Sequence, residues 1–328
     1  MLDETALGVR DGKGSWVPAR RCDFGPLFAW PTRPLAIAKW FVTSYVLSWQ
    51  LLYFGVAAAA WFALTPGTDA LRSFSPGWIA LVLLRNLGIV VAWYGVWHLR
   101  LYVRRAQDTR TKYNAKFPGD SRRFTFGNQT KDNVFWSLAS GVPIVTAYEV
   151  VGLWLFASGR IPWLRWGDHA VWIVVIMLLV PIWREVHFYV VHRLIHVPAL
   201  YKRVHSLHHR NVNPAPWSGL SMHPLEHVVY FSAMAIHWIV PSHPLHMLFN
   251  QFHLLMAPVP GHAGFERVEV AGGSLDTHGY AHYLHHKYFE VNYSDGAVPL
   301  DRWFGSFHDG SPEAMERMRG RSVAAADA

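Results

Sequence analysis

Histidine is spread very unevenly along this chain of 328 residues: of its 20 histidines only His98 and His169 precede residue 187. Three groups are sharply patterned: His192-x-x-x-His196, His205-x-x-His208-His209 and His282-x-x-His285-His286. On a helix, positions i and i+4 share a face, and i, i+3 and i+4 span an arc of about 100°. Each group can therefore aim two or three imidazoles into one cavity. Neutral imidazole suits zinc, copper, iron and nickel. These eight histidines exceed the four ligands that one zinc takes, and they suit two metals with about four nitrogen ligands each. Two iron ions with open positions would bind and reduce dioxygen, and histidine supplies donors without the negative charge of carboxylates.

A lone histidine on an apolar face is more often a hydrogen-bonded core residue than a ligand. A histidine-rich tract also fits a pH sensor or a surface zinc site. Three patterned groups in succession favour ligation. Further candidates are His223 and His227, at i and i+4 in "SMHPLEH", and His262 in "PGHAGFE" and His278 in "DTHGYAH", as ligands or neighbours of ligands. His187 precedes His192 by an interval that turns it about 140° away on a helix. His237, His243 and His246 share no pattern and default to structure or interface. Metal-bound imidazoles donate their second N–H to a carboxylate or carbonyl; Glu226, Asp276, Asp295 and Asp301 lie close enough in sequence to serve.

The elements that must position these groups are apolar. Charged residues make up 16% of the chain and hydrophobic ones 52%, whereas a soluble domain carries about 25% charged. Four segments reach the roughly 20 residues that cross a bilayer: Leu35 to Leu64, Gly77 to Val103 with Arg85, Val134 to Ser158 with Pro143 and Glu149, and Ala170 to His196 with Arg184 and Glu185. The first is longer than a signal-peptide core and is read as retained. The fold class expected is an all-α integral membrane protein, with about four transmembrane helices and a cytoplasmic, histidine-rich helical catalytic cap. The aromatic content of 15% fits interfacial belts. The single cysteine, Cys22, excludes an intramolecular disulfide and a thiolate cluster. The net charge of +8 sits mostly beside apolar segments, which favours lipid headgroups over nucleic acid.

Orientation follows from lysine and arginine bias. Arg10, Lys13, Arg20, Arg21 and Arg33 precede the first span, and eight basic residues lie in the loop from Arg104 to Lys131. The other loops hold only Arg72, and Arg160 with Arg165. A multi-pass protein with both termini and the active site cytoplasmic is expected. The apolar stretch Val228 to Pro258 is interrupted by His237, Pro241, His243, Pro244 and His246; a re-entrant or interfacial hairpin is expected, because a fifth crossing would separate the histidine groups. The division expected is an N-terminal cytoplasmic segment 1–34, a membrane base 35–196 with the basic loop 104–133, a catalytic cap 197–310 with an interfacial hairpin 228–258, and a flexible tail 311–328.

At these histidines the chain resembles the fatty acid hydroxylase superfamily, specifically its sterol desaturase branch. The resemblance rests on "HRLIH", "HSLHH" and "HYLHH" in this order, "HPLEH" between them, and "HYLHHKYFEVNYSDGAVPLDRWFGSFHDG". It covers about residues 170–310. It implies an integral-membrane, non-haem di-iron enzyme that uses dioxygen and two electrons to hydroxylate or desaturate a lipid. The implied ligands are His192, His196, His205, His208, His209, His282, His285 and His286, with His223, His227 and His262 as additional family positions. The family includes enzymes acting on sterols, acyl chains and polar headgroups, which this signature does not separate. No glycine-rich dinucleotide fingerprint follows a strand, so electrons are expected from a separate carrier of cytochrome b5 or ferredoxin type. The loop Arg104 to Lys131 suits docking of an acidic carrier and equally suits a topology-setting role.

Other classes compete. A histidine-rich zinc-dependent membrane hydrolase needs only three histidines and a water, and leaves most of the histidines unused. A metal transporter places ligands near the midplane of its spans, whereas these follow the fourth span. A haem electron carrier needs histidines paired across spans, and the first three spans hold only His98.

Overall fold

Long apolar runs close their backbone hydrogen bonds internally as helices, and proline or a polar side chain marks where they start. The computed structural model describes residues 4–19, 22, 25–294 and 298–326. Helices α1 (Pro34–Val46) and α2 (Trp49–Leu64) form a pair bent by 44°, so the first expected span is broken. Helices α3 (Pro76–Val103), α4 (Gln129–Ala157) and α5 (Trp166–Ile195) are each long and apolar enough to cross a membrane. Among the described residues there are thus three such helices, or four with the bent pair counted as one span. Proline opens α3, and the Asn128 side chain caps α4 by accepting from the Lys131 amide at 3.1 Å.

The histidine groups lie at one end of this bundle, where α5 finishes. Residues 228–258, expected as a re-entrant or interfacial hairpin, form a hairpin of helices whose second arm is set inside the bundle. Helices α6 (Pro198–Arg203), α7 (Pro224–Phe231) and α8 (Ile236–Ile239) follow α5, and α7 packs along α4 and α5. The chain reaches the far end at Ser242, whose carbonyl accepts from the Leu164 amide at 3.0 Å in the link between α4 and α5. Helix α9 (Pro244–Met256) then returns through the interior, with all its residues buried against α2, α4 and α5. Several of its polar residues find partners there: His246 Nε2 donates to Ile173 O at 2.9 Å and Gln251 Nε2 to Glu149 Oε2 at 2.8 Å. Helices α4 and α9 approach closely enough that a Cβ on Gly152 would overlap Met247 Sδ.

Two charges inside the spans neutralise one another. Arg85 of α3 pairs with both carboxylate oxygens of Glu149 on α4, and Asn86 Nδ2 donates to the same carboxylate at 2.9 Å. An intramembrane ion needs such a partner because lipid offers none.

Over the histidine end lie α10 (Pro258–Gly261), α11 (Tyr280–Tyr288), α12 (Leu300–Trp303) and α13 (Pro312–Ala326). The all-α expectation needs one amendment: two short antiparallel hairpins occur, β1 (Gly8–Arg10) with β2 (Trp16–Pro18), and β3 (Arg267–Val270) with β4 (Gly273–Asp276). The tail expected to be flexible is helical in α13. The basic loop 104–133 is laced to this end: Lys112 is buried, its Nζ donating to the carbonyls of Asn114 (2.8 Å) and Lys116 (3.0 Å), and the Tyr113 amide donates to Gly264 O at 2.9 Å. Gly264 has φ +76°, and a Cβ there would lie 2.7 Å from the Tyr102 hydroxyl and 2.8 Å from Pro214 O, so only glycine fits. Arg20 and Arg21 of the N-terminal segment lie outside the described residues.

Candidate metal centre

Four pieces of chain bring the imidazoles together. The last turn of α5 supplies His192 and His196. A 3-10 helix, His205–Arg210, supplies His205, His208 and His209; α11 supplies His282, His285 and His286; and His262 follows α10. Their ligand nitrogens gather into two sets, His192, His196, His205, His209 and His285 in group A, and His208, His262, His282 and His286 in group B. Within each set the nitrogens all lie within 4.8 Å of one another. The 3-10 helix and α11 each straddle the two groups, so the same two segments hold both sets side by side. On α11, His282 and His286 share a face toward B while His285 turns to A. Only His196 is partly exposed; the other eight are buried.

Hydrogen bonds on the outer side of the rings decide which nitrogen faces inward. A carbonyl only accepts, so an imidazole nitrogen beside one carries the proton. Nδ1 donates to Tyr293 O from His192 (2.8 Å), to Val291 O from His285 (2.6 Å), to Pro258 O from His262 (2.8 Å) and to Ser221 O from His208 (3.3 Å). His205 Nδ1 donates to Glu226 Oε1 at 2.7 Å. These five rings therefore present bare Nε2 lone pairs inward. In group B the Nε2 atoms of His208 and His262 stand 3.4 Å apart with neither carrying a proton, and His262 Nε2 is also 3.0 Å from that of His282 and 3.2 Å from that of His286. In group A, His285 and His209 Nε2 are 3.0 Å apart, and His209 and His196 Nε2 3.2 Å. Facing lone pairs repel unless a cation lies between them.

Electrostatics agree. Burial, with neighbouring imidazoles adding to it, holds His205, His208, His209, His282, His285 and His286 well below the ordinary histidine range, and burial brings His196 down to about 2. All are neutral donors near neutrality. Such an all-nitrogen, desolvated set fits iron, zinc or copper and offers calcium or magnesium no oxygen. Burial pushes the Glu226 carboxyl well up; a cation on the far side of the His205 ring opposes that and favours the carboxylate.

The other sequence candidates fall outside both groups. His227 is held between Ser140 Oγ (3.0 Å from Nδ1) and Leu220 O (3.1 Å from Nε2). His223 caps α7, its Nδ1 accepting from the Leu225 amide at 3.2 Å. These two i, i+4 residues thus serve the fold, because a helix start leaves amides that a ring nitrogen satisfies. His278 is exposed beside Asp276, His187 meets Ser232 Oγ at 2.9 Å, and His237 meets Ser242 Oγ at 3.1 Å. Among the carboxylates, Glu226 touches a ring of the groups. Asp301 acts one step back: it accepts from the amides of Tyr293 (2.9 Å) and Ser294 (2.8 Å), fixing the loop whose carbonyl orients His192. Asp295 lies outside the described residues. The carbonyls of Tyr293, Val291, Ser221 and Pro258 carried no sequence signal, since every residue has one.

Residues 177–306 match the family model described as fatty acid hydroxylase. The chain is 26% identical over 278 residues to the Delta(7)-sterol 5(6)-desaturase erg3C of Aspergillus fumigatus, covering 75% of this chain and 82% of that protein. It is 28% identical over 145 residues to the Delta(7)-sterol 5(6)-desaturase ERG3B of Gibberella zeae, covering 43% and 44%. Over 76 residues it is 37% identical to fatty acid hydroxylase domain-containing protein 2 of Macaca fascicularis, covering 21% and 23%. The chain thus spans most of one of these relatives and under half of the other two. No solved structure matches.

Proposed function

We propose, from the match to the fatty acid hydroxylase model and the likeness to sterol desaturases, that the chain is a membrane-bound oxygenase of the fatty acid hydroxylase superfamily, in its sterol desaturase branch. It hydroxylates or desaturates a lipid with dioxygen, two non-haem irons and two electrons from a separate carrier. The observation that carries this reading is the pair of adjacent imidazole sets with inward lone pairs. Group A residues His192, His196, His205, His209 and His285 would hold one iron, and His208, His262, His282 and His286 the other. Bound there, the irons would supply the activation of dioxygen that attack on an unactivated C–H bond requires.

The chain's own residues do the rest. Carbonyls and Glu226 lock the tautomers of five of the nine rings, so these ligands need no change of tautomer on binding metal. Burial of eight of the nine rings keeps water out, which protects a strong oxidant from unproductive reduction. The Phe188 ring stacks on His192 at 4.8 Å and gives group A an apolar neighbour, suited to a hydrocarbon. The relatives whose names state a substrate act on sterols, so a sterol or another lipid of the bilayer is the substrate class.

Metal content per chain and Mössbauer spectra of iron-57-grown, detergent-purified protein test the reading. A coupled non-haem iron pair, lost in His208→Ala and in His285→Ala, supports it. A haem spectrum, or well-folded protein that holds no iron after reconstitution, overturns it. Zinc found in place of iron calls for reconstitution with iron before the spectra are read.

A further inference from the structure

The last turn of α9 runs toward the metal centre, and its carbonyls are each served by a side chain. The Tyr230 hydroxyl donates to Leu254 O at 2.9 Å, the Tyr94 hydroxyl to Leu255 O at 2.8 Å, and Trp93 Nε1 to Met256 O at 3.0 Å. His253, in the same turn, is 4% exposed, and neither of its ring nitrogens has a hydrogen-bond partner among the described residues. The other polar residues of α9, His246, Asn250 and Gln251, each have at least one side-chain atom partnered. Across from His253, Tyr53 of α2 meets its ring edge-on at 5.2 Å. Gln50, one turn from Tyr53 on the same face of α2, has a buried Oε1 that also lacks a partner among the described residues.

Buried polar atoms left unpaired cost free energy, which a bound group with matching hydrogen bonds recovers. A neutral imidazole offers one N–H and one lone pair, and Gln50 Oε1 adds an acceptor. A hydroxyl both donates and accepts, so it complements that set. A carboxylate or phosphate only accepts, and would leave two lone pairs facing its own. We propose that His253 and Gln50 form a subsite for the hydroxyl of a lipid alcohol. That this lipid is the molecule oxidised rests on the oxygenase reading.

The surroundings connect the subsite to both bilayer and metal. Helices α2 and α5 pack on α9 but touch one another little, and the Tyr45 hydroxyl of α1 bridges to Leu178 O of α5. A lipid passing between α2 and α5 therefore meets His253 on α9 before it meets the metal ligands. On the α5 side, Arg184 acts on the His253 ring electrostatically, and its guanidinium lies 5.2 Å over the Phe188 ring. Phe188 in turn stacks on His192 at 4.8 Å. A hydroxyl on His253 thus leaves the hydrocarbon an apolar track along Phe188 to group A. His192 lies two helical turns beyond Arg184, about 12 Å along α5, so the carbon oxidised is several bonds from the hydroxyl. The Arg184 charge makes a fatty acid the rival ligand.

The test is equilibrium binding of tritiated cholesterol and tritiated 1-octadecanol to the full-length protein in detergent, with no reductant present, so that nothing turns over. The competitors are the hydroxyl-free counterparts, cholestene and octadecane, and stearic acid. In one of the two series the alcohol is expected to bind at least tenfold tighter than its hydrocarbon, because a site with unpaired polar atoms rejects a ligand that cannot match them. The series that shows this preference identifies the skeleton as sterol or straight chain. His253→Phe is expected to bring alcohol and hydrocarbon within twofold of one another at unchanged iron content, and His253→Gln to keep part of the preference. Gln50→Leu, expected to lower the preference at least threefold, takes the place of His253→Phe if that variant does not fold. A parent that prefers neither alcohol overturns the subsite, as does a preference that stays within twofold of the parent's in the variant. Stearic acid bound tighter than both alcohols overturns it too. Alcohol preference in protein that takes up no iron upholds the subsite and overturns the oxygenase reading instead.

Discussion

At the scale of single residues, the centre is organised by what lies behind the imidazoles. Glu226 is buried and reaches only His205 of the two groups, and its Oε2 has no partner among the described residues. Replacing it with leucine strands the His205 Nδ1 proton and removes the charge that strengthens that ring as a donor. Glu226→Leu is expected to weaken metal binding in group A by roughly 10- to 100-fold, with Glu226→Gln between it and the parent; competition against a graded chelator series reads this. The depressed histidines set a pH dependence for the metal-free protein. Their folded pKa values lie below the unfolded value of about 6.5, so above that pH both states are neutral. Below it the unfolded chain takes up protons that the folded one refuses, and stability falls by about 1.4 kcal/mol per pH unit for each such ring. The thermal midpoint of metal-free protein is expected to drop steeply between pH 7 and pH 5, and bound metal to blunt the drop.

At the scale of elements, small residues let carbonyl-bearing segments approach the ligands. A Cβ on Gly219 would lie 2.8 Å from Pro258 Cβ and 3.0 Å from Pro258 O, the acceptor that orients His262. Gly219→Ala is expected to push α10 aside and to lower the affinity of group B by roughly tenfold or more while leaving group A loaded. Metal content at limiting iron, with spectra to distinguish one iron from a coupled pair, checks it. The sequence pattern could not distinguish the two groups, because HxxHH reads the same on an α-helix and on a 3-10 helix. It also grouped His223 and His227 with the ligands, since i, i+4 spacing suits a metal and a capped helix start alike.

For the whole molecule, the long apolar helices and the grouping of the histidines were legible because their signals are local. A run of some 20 apolar residues has one low-energy fate in lipid, and lysine and arginine bias predicts orientation. Tags at the two termini are expected to be digested from the same side of sealed vesicles, together with a site inserted in the loop at Gly119; opposite protection of the termini would count against an even number of crossings. Composition and spacing alone thus determined that the chain is helical and apolar, that it holds patterned imidazoles suited to metal, and which eight of them come first to notice. Tertiary structure decided the rest. It sorted nine rings into sets of five and four, drew in His262 from a segment with no repeat, assigned His223 and His227 to the fold, and buried α9 inside the bundle. Those outcomes depend on which surfaces meet across more than a hundred residues of chain, and on backbone carbonyls that side-chain identity does not reveal.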